Sequence, residues 1–182
     1  MNDILQTVLT WSSSSPYWLG AAIFITAFLE CLALVGIILP GVVLMFGLAV
    51  IAGGSTLSLP TVLLLAWLGG LTGDFVSYAL GYRFKDKVPQ LPLLRTHPQW
   101  LANAHIHFER YGALSLLLGR FIGPLRPILP LLAGMLSMPL ARFTGISLIA
   151  AAGWAIAYVM PGWAVGAALD LSPPAGFWLQ AA

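Results

Sequence analysis

Two arginines, Arg120 and Arg126, stand six positions apart in GRFIGPLRPILPLLAG, residues 119 to 134, among apolar side chains, proline and glycine. Two acids have equally apolar settings: Glu30 lies between FITAFL and CLALVG, and Asp74 follows LLLAWLGGLTG. A charged side chain at the centre of an apolar helix costs on the order of 2.5 to 3.5 kcal/mol on insertion scales, so each should face protein or a wet cavity. Mutual neutralisation of two acids by two arginines is the plainest account. The choice of arginine at both basic positions points further. A planar guanidinium holds a phosphate or carboxylate through two parallel hydrogen bonds, whereas packing alone would be served by apolar residues. The four side chains read as an anion cradle inside an apolar medium, with the acids holding the arginines while it is empty. A desolvated Glu30 could carry a proton there.

Other chemistries find little support. The run SSSS at 12 to 15 is a loop and helix cap before Pro16, with no His or Asp at a spacing that would activate a hydroxyl, so no catalytic residue is expected. His105 and His107 fall on different faces of a helix and have no third ligand at metal spacing, so neither a metal nor another cofactor is expected. Cys31 is the single cysteine, which excludes an intramolecular disulfide and a thiolate cluster. A net charge of +2 is too small and too localised to argue for nucleic acid.

The elements that position these charges follow from composition. The chain has 182 residues, 59% hydrophobic and 8% charged, against about a quarter charged in soluble domains. Apolar runs fill 17 to 54, 57 to 82, 113 to 136 and 143 to 169, each long enough to cross or deeply enter a bilayer. An all-α integral membrane protein with one domain, residues 1 to 182, is expected. The first run is too long for one span and is interrupted by Pro40 and Gly41. It divides into an additional N-terminal helix over 17–35 and a broken, re-entrant hairpin over 36–55. Gly123, Pro124, Pro127 and Pro130 break 113–136 in the same way, and all six residues are read as hinge positions at the hairpin tips. Transmembrane helices are expected over 59–82 and 139–166.

The chain repeats itself. LSLP at 57 to 60 opens one span and LSMP at 136 to 139 opens another, and these continue as GDFVSYALG and GWAIAYVMPG. The first span must arrive at the central polar connection and the second must leave from it, so the halves are expected to be inverted, each a broken hairpin followed by a transmembrane helix. Arg83, Lys85, Lys87, Arg95 and Arg110 gather in that connection against Asp86 and Glu109, which makes 83–112 a cytoplasmic loop and surface helix by the positive-inside rule. The N-terminus lacks the basic start and cleavage site of a signal peptide, so the first helix is expected to be retained. Trp11, Trp18, Trp100, Trp163 and Trp178 read as interface anchors, and the basic loop as a surface for anionic membrane lipids.

With these residues in place a family resemblance is clear. HFERYGALSLLLGRFIGPLRPILPLLAGMLSMPLARF at 107 to 143 resembles the second half of the DedA, or VTT-domain, family of bacterial inner-membrane proteins. Glu30, LPG at 39 to 41 and GDFVSYALGY at 73 to 82 resemble its first half. The resemblance implies two re-entrant hairpins facing each other and ion-coupled transport of a lipid phosphate, undecaprenyl phosphate or a related phospholipid, across the inner membrane. It also implies that Glu30 is the family's first essential acid and Arg120 and Arg126 its essential arginines; Asp74 is read from its own apolar setting as the support of the arginines. Three positions depart from the pattern: Val42 stands where many members carry an acid, Gly123-Pro124 reverses the usual Pro-Gly, and Ser147 replaces an Asn. The non-acidic residue at 42 resembles members fused to a phosphatase, so association with a lipid phosphatase domain is one expected partnership and a homo-oligomer another. Two alternatives to a lipid-phosphate transporter remain at this stage: an ion or small-solute permease, and a non-transporting membrane scaffold.

Overall fold

A computed structural model describes residues 16–33, 35–36, 41–85, 95–96, 99, 102–103, 106, 110–111, 113–121 and 125–169. The ordered elements are α1 (Pro16–Cys31), α2 (Gly41–Gly53), α3 (Leu59–Arg83), α4 (Ala113–Gly119), α5 (Leu125–Met135) and α6 (Leu140–Ala168). No strand occurs among the described residues. Pro16 and Pro60 occupy first turns, where a missing N–H costs nothing, and Pro139 caps α6. At about 1.5 Å per residue, α3 is about 37 Å long and α6 about 43 Å, more than the roughly 30 Å of a hydrocarbon core. By length and composition these two can cross a membrane, whereas α1 and α2 are shorter apolar helices.

The long helices form the frame, and each takes the short helix from the other half of the chain. α5 packs along α3, and α2 packs along α6, with α1 also on α3 and α4 also on α6. The contacts correspond atom for atom. A Cβ on Gly134 of α5 would strike the Tyr78 carbonyl and Tyr82 nitrogen of α3, and one on Gly81 would strike the Leu131 carbonyl. In the other pair, a Cβ on Gly53 of α2 would strike the Trp163 carbonyl and Ala167 nitrogen of α6, and one on Gly166 would strike the Val50 carbonyl. Small residues allow this backbone approach, which is how helices gain contact where lipid removes the hydrophobic drive between them. Hydrogen bonds repeat the relation: Tyr78 Oη donates to the Met138 carbonyl just before α6, and Trp163 Nε1 donates to the Leu57 carbonyl just before α3, at 3.3 Å.

Polarity runs inward. Glu30, Asp74, Ser77, Arg120, Arg126 and Ser147 are buried, while Val43, Leu44, Leu64, Leu68, Ile149 and Ile156 are exposed. A surface of that kind suits an apolar surrounding and would be a liability in water. Two apolar clusters fill the interior, one around Ile128, Leu132 and Phe143, the other around Ile23, Met45, Val62 and Trp154. Ala27 belongs to the second and Ala33 to the first, so Glu30 and Cys31 sit where the clusters meet.

The helices differ from expectation in two places. The first helix stops at Cys31, short of residue 35, because Ser77 of α3 intervenes: its Oγ donates to the Cys31 carbonyl at 3.1 Å and accepts from the Ala33 N–H at 2.9 Å. Pro127 and Pro130 lie within α5 and not in the turn that precedes it. Pro127 falls in the first turn, where no intrahelical donor is needed, and Pro130 removes only the bond to the Arg126 carbonyl. The turn between α4 and α5 begins at Arg120 and Phe121 instead. Pro40, Gly123, Pro124, Ser12 to Ser15, His105, His107, Trp11, Trp100 and Trp178 lie outside the described residues.

α5 ends in a Schellman turn: the Ser137 N–H donates to the Gly134 carbonyl and the Met138 N–H to the Ala133 carbonyl, both at 3.0 Å. Ser137 takes the left-handed position at φ 54°, usually glycine's. Met138 and Ala133 pack in the same cluster, completing the motif.

Candidate functional site

The four charges converge. Glu30 is in the last turn of α1, Asp74 in α3, Arg120 just after α4 and Arg126 second in α5. Arg126 Nη1 donates to Glu30 Oε1, and Arg120 Nη1 donates to Asp74 Oδ2. Both ion pairs are almost fully buried, with side-chain exposures of 2% to 6%. Residues 96 and 46 positions apart are thus joined by charge-assisted bonds in a medium where each alone would be costly.

Cys31 bridges the pairs. Its Sγ accepts from Arg126 Nη2 at 3.2 Å and from Arg120 Nη2 at 3.5 Å. Glycines make the room. A Cβ on Gly70 would sit 3.3 Å from Arg120 Nη2 and 3.4 Å from Cys31 Sγ, and one on Gly41 would run into the Glu30 side chain. Glu30 therefore packs on the first residue of α2, at a helix end whose dipole favours negative charge. Arg126 also lies under an aromatic face, its Cζ 4.0 Å from the ring centroid of Trp154 on α6. Desolvated contacts of that kind are worth about 2 kcal/mol.

The cluster is not saturated. Glu30 Oε2, Arg120 Nε, Arg126 Nε and Trp154 Nε1 are buried without a hydrogen-bond partner among the described residues. Three of these are donors and one is an acceptor. Buried polar atoms normally find partners, so their idleness at one spot suits a site that accepts a donor-seeking group. The two arginines and two acids sum to zero charge, so an arriving anion must displace an acid or come with a positive charge. No group of three potential metal ligands occurs among the described residues.

All four charged residues singled out from the sequence thus meet at one place, joined by Gly41 through its contact with Glu30. Sequence reasoning missed Cys31 and Trp154. The internal repeat carried a signal for Trp154, since aligning GDFVSYALG with GWAIAYVMPG sets Trp154 opposite Asp74. Each covers one arginine: Asp74 takes Arg120 by charge, Trp154 takes Arg126 by its face. Cys31 had only its adjacency to Glu30 to mark it. Of the expected interface tryptophans, Trp18 is exposed and Trp163 is half-buried and bonded to Leu57.

Helices of membrane-spanning length around a buried quartet of opposed charges define the class, an all-helical membrane protein with a polar centre. Residues 39–164 match the VTT domain, and the chain belongs to that family, the DedA family. It is 39% identical over 176 residues to the inner membrane protein YabI of Escherichia coli, covering 97% of this chain and 67% of YabI. The uncharacterized membrane protein BU139 of Buchnera aphidicola is 37% identical, covering 81% of this chain and 57% of that protein. Protein DedA of Escherichia coli is 28% identical, covering 82% and 69%. The chain thus spans between somewhat over half and about two thirds of the length of these relatives. No solved structure matches it.

Proposed function

We propose that this protein is a multi-pass transporter of the bacterial inner membrane, not an enzyme, that translocates a lipid phosphate such as undecaprenyl phosphate or a related phospholipid. Arg120 and Arg126 hold the head group in this reading, Asp74 supports Arg120, and Glu30 competes with the head group for Arg126. The observation that carries it is the buried cluster of two paired arginines with idle Nε donors. A guanidinium whose edge is free can take a phosphate oxygen, and α5 adds a helix amino end next to Arg126.

Ion coupling follows from the zero charge sum. Protonation of Glu30 frees Arg126 and leaves the cluster net positive, so proton uptake and anion binding assist each other. The reciprocal glycine contacts of α5 on α3 and α2 on α6 support an inverted repeat of two re-entrant hairpins, with the basic 83–112 segment cytoplasmic. Relatives named inner membrane proteins support the location.

The test is translocation in proteoliposomes. Purified full-length protein should move a long-chain polyprenyl phosphate between leaflets, and Arg126→Lys should lower the rate about 10- to 100-fold, because a point charge makes neither the fork nor the flat stack on Trp154. Binding of the lipid phosphate should strengthen as pH falls, and Glu30→Gln should bind tightly without that pH dependence. Unimpaired movement by the lysine variant, or ion flux with no lipid phosphate present, refutes the proposal.

A further inference from the structure

We propose that Trp154 is a ligand-binding residue of the cradle, donating its indole N–H to an oxygen of the bound phosphate while its ring face fixes the plane of Arg126. The proposal rests on the lipid-phosphate reading above and adds a donor to it.

Three observations converge on this side chain. Trp154 is 1% exposed, and its Nε1 is buried without a partner among the described residues. A buried indole N–H ordinarily finds an acceptor, so one left idle is unusual for a residue that serves packing only. The idle atom belongs to the ring system that lies 4.0 Å from Arg126 Cζ, so it is a close neighbour of the guanidinium. Arg126 Nε and Arg120 Nε are idle as well, and both guanidiniums are tied together by Cys31 Sγ. Three unused donors around one bridged pair match a phosphate with several terminal oxygens better than any single-acceptor ligand.

The packing of Trp154 gives it little freedom to look elsewhere. Tyr158 lies one turn along α6 with ring centroids 5.9 Å apart, and Trp154 shares a buried cluster with Ile23, Ala27 and Met45. A bulky ring held from several sides presents its nitrogen in a fixed direction, which suits a residue that orients a ligand. In the repeat it stands opposite Asp74, which has an arginine of its own. Both arginines are thus held by an acid, and Arg126 is in addition steadied by a ring that brings a donor and no second anion.

The experiment separates the donor from the ring. Trp154 is replaced by phenylalanine, and by 3-benzothienylalanine, which keeps the bicyclic shape and has sulfur in place of N–H. Full-length protein in nanodiscs is titrated with hexadecyl phosphate, with hexadecanol and inorganic phosphate as further arms. Wild type should bind hexadecyl phosphate and not hexadecanol. The benzothienyl protein should melt as wild type does, bind hexadecyl phosphate about tenfold more weakly, and in proteoliposomes need more lipid phosphate for half-maximal movement with little change in the maximal rate. Equal binding by the benzothienyl and wild-type proteins overturns the role of Trp154 and leaves the transport reading intact. Failure of wild type to bind any phosphate overturns both. Competition by inorganic phosphate at matching concentration identifies free phosphate as the ligand source, with the same donor role. Should the phenylalanine protein not fold, the isosteric variant decides alone.

Discussion

Breaking the Asp74–Arg120 pair separates what the cluster does for stability from what it does for function. Asp74 is 2% exposed and the Arg120 side chain 5%, so solvent cannot rescue a lone charge there. Removing one partner of a buried pair costs about 3 to 5 kcal/mol, mostly from the charge left behind. For a chain of this size each kcal/mol moves the melting temperature by about 2 to 4 °C, so Asp74→Ala should lower Tm by roughly 6 to 20 °C. Removing both charges reverses the sign of the argument. An apolar pair of similar volume is often neutral or stabilising, so Asp74→Leu with Arg120→Met should recover most or all of the loss. The double variant should nevertheless be inactive in lipid-phosphate translocation. Unfolding can be followed by maleimide labelling, since Cys31 is the single cysteine and is fully buried. A double variant as unstable as Asp74→Ala would show that charge compensation is not what the pair supplies. One that still transported would remove Arg120 from the site.

Three further outcomes follow from the same geometry. Ser137→Gly should raise stability by about 0.5 to 1 kcal/mol, because glycine relieves the left-handed strain of the Schellman turn, and a Tm scan reads it. Gly134→Val and Gly166→Val should each destabilise by several kcal/mol, because a branched side chain would collide with the facing backbone of α3 and α2 respectively, whereas Gly47→Ala, facing open space, should be neutral or slightly stabilising by CD melts. Cys31→Ser should keep translocation within about threefold of wild type, since a hydroxyl also accepts from both arginines, while Cys31→Ala should lower stability by about 1 to 3 kcal/mol in a Tm scan by leaving both Nη2 groups short of an acceptor.

The sequence by itself determined that the chain is a membrane protein, where its polar centre must be assembled, and to which family it belongs. Those conclusions rest on local quantities: the length of apolar runs, the cost of Glu30, Asp74, Arg120 and Arg126 in such runs, and the order of motifs along the chain. Helix extents were partly legible, because Pro60 and Pro139 mark starts that follow from one missing N–H. The stop at Cys31 was not, since Ser77, 46 residues away, imposes it. Nor could periodicity show which face of α3 or α6 turns inward, because lipid and core are equally apolar and both faces carry the same kinds of residue. Only the tertiary structure decided that Glu30 takes Arg126 while Asp74 takes Arg120, that Cys31 ties the two guanidiniums together, and that Trp154 lies over one of them. The reason is distance. Which donor reaches which acceptor depends on ångström-scale separations between helices, set here by glycines that bring distant backbones into contact, and no local property of the chain encodes that sum.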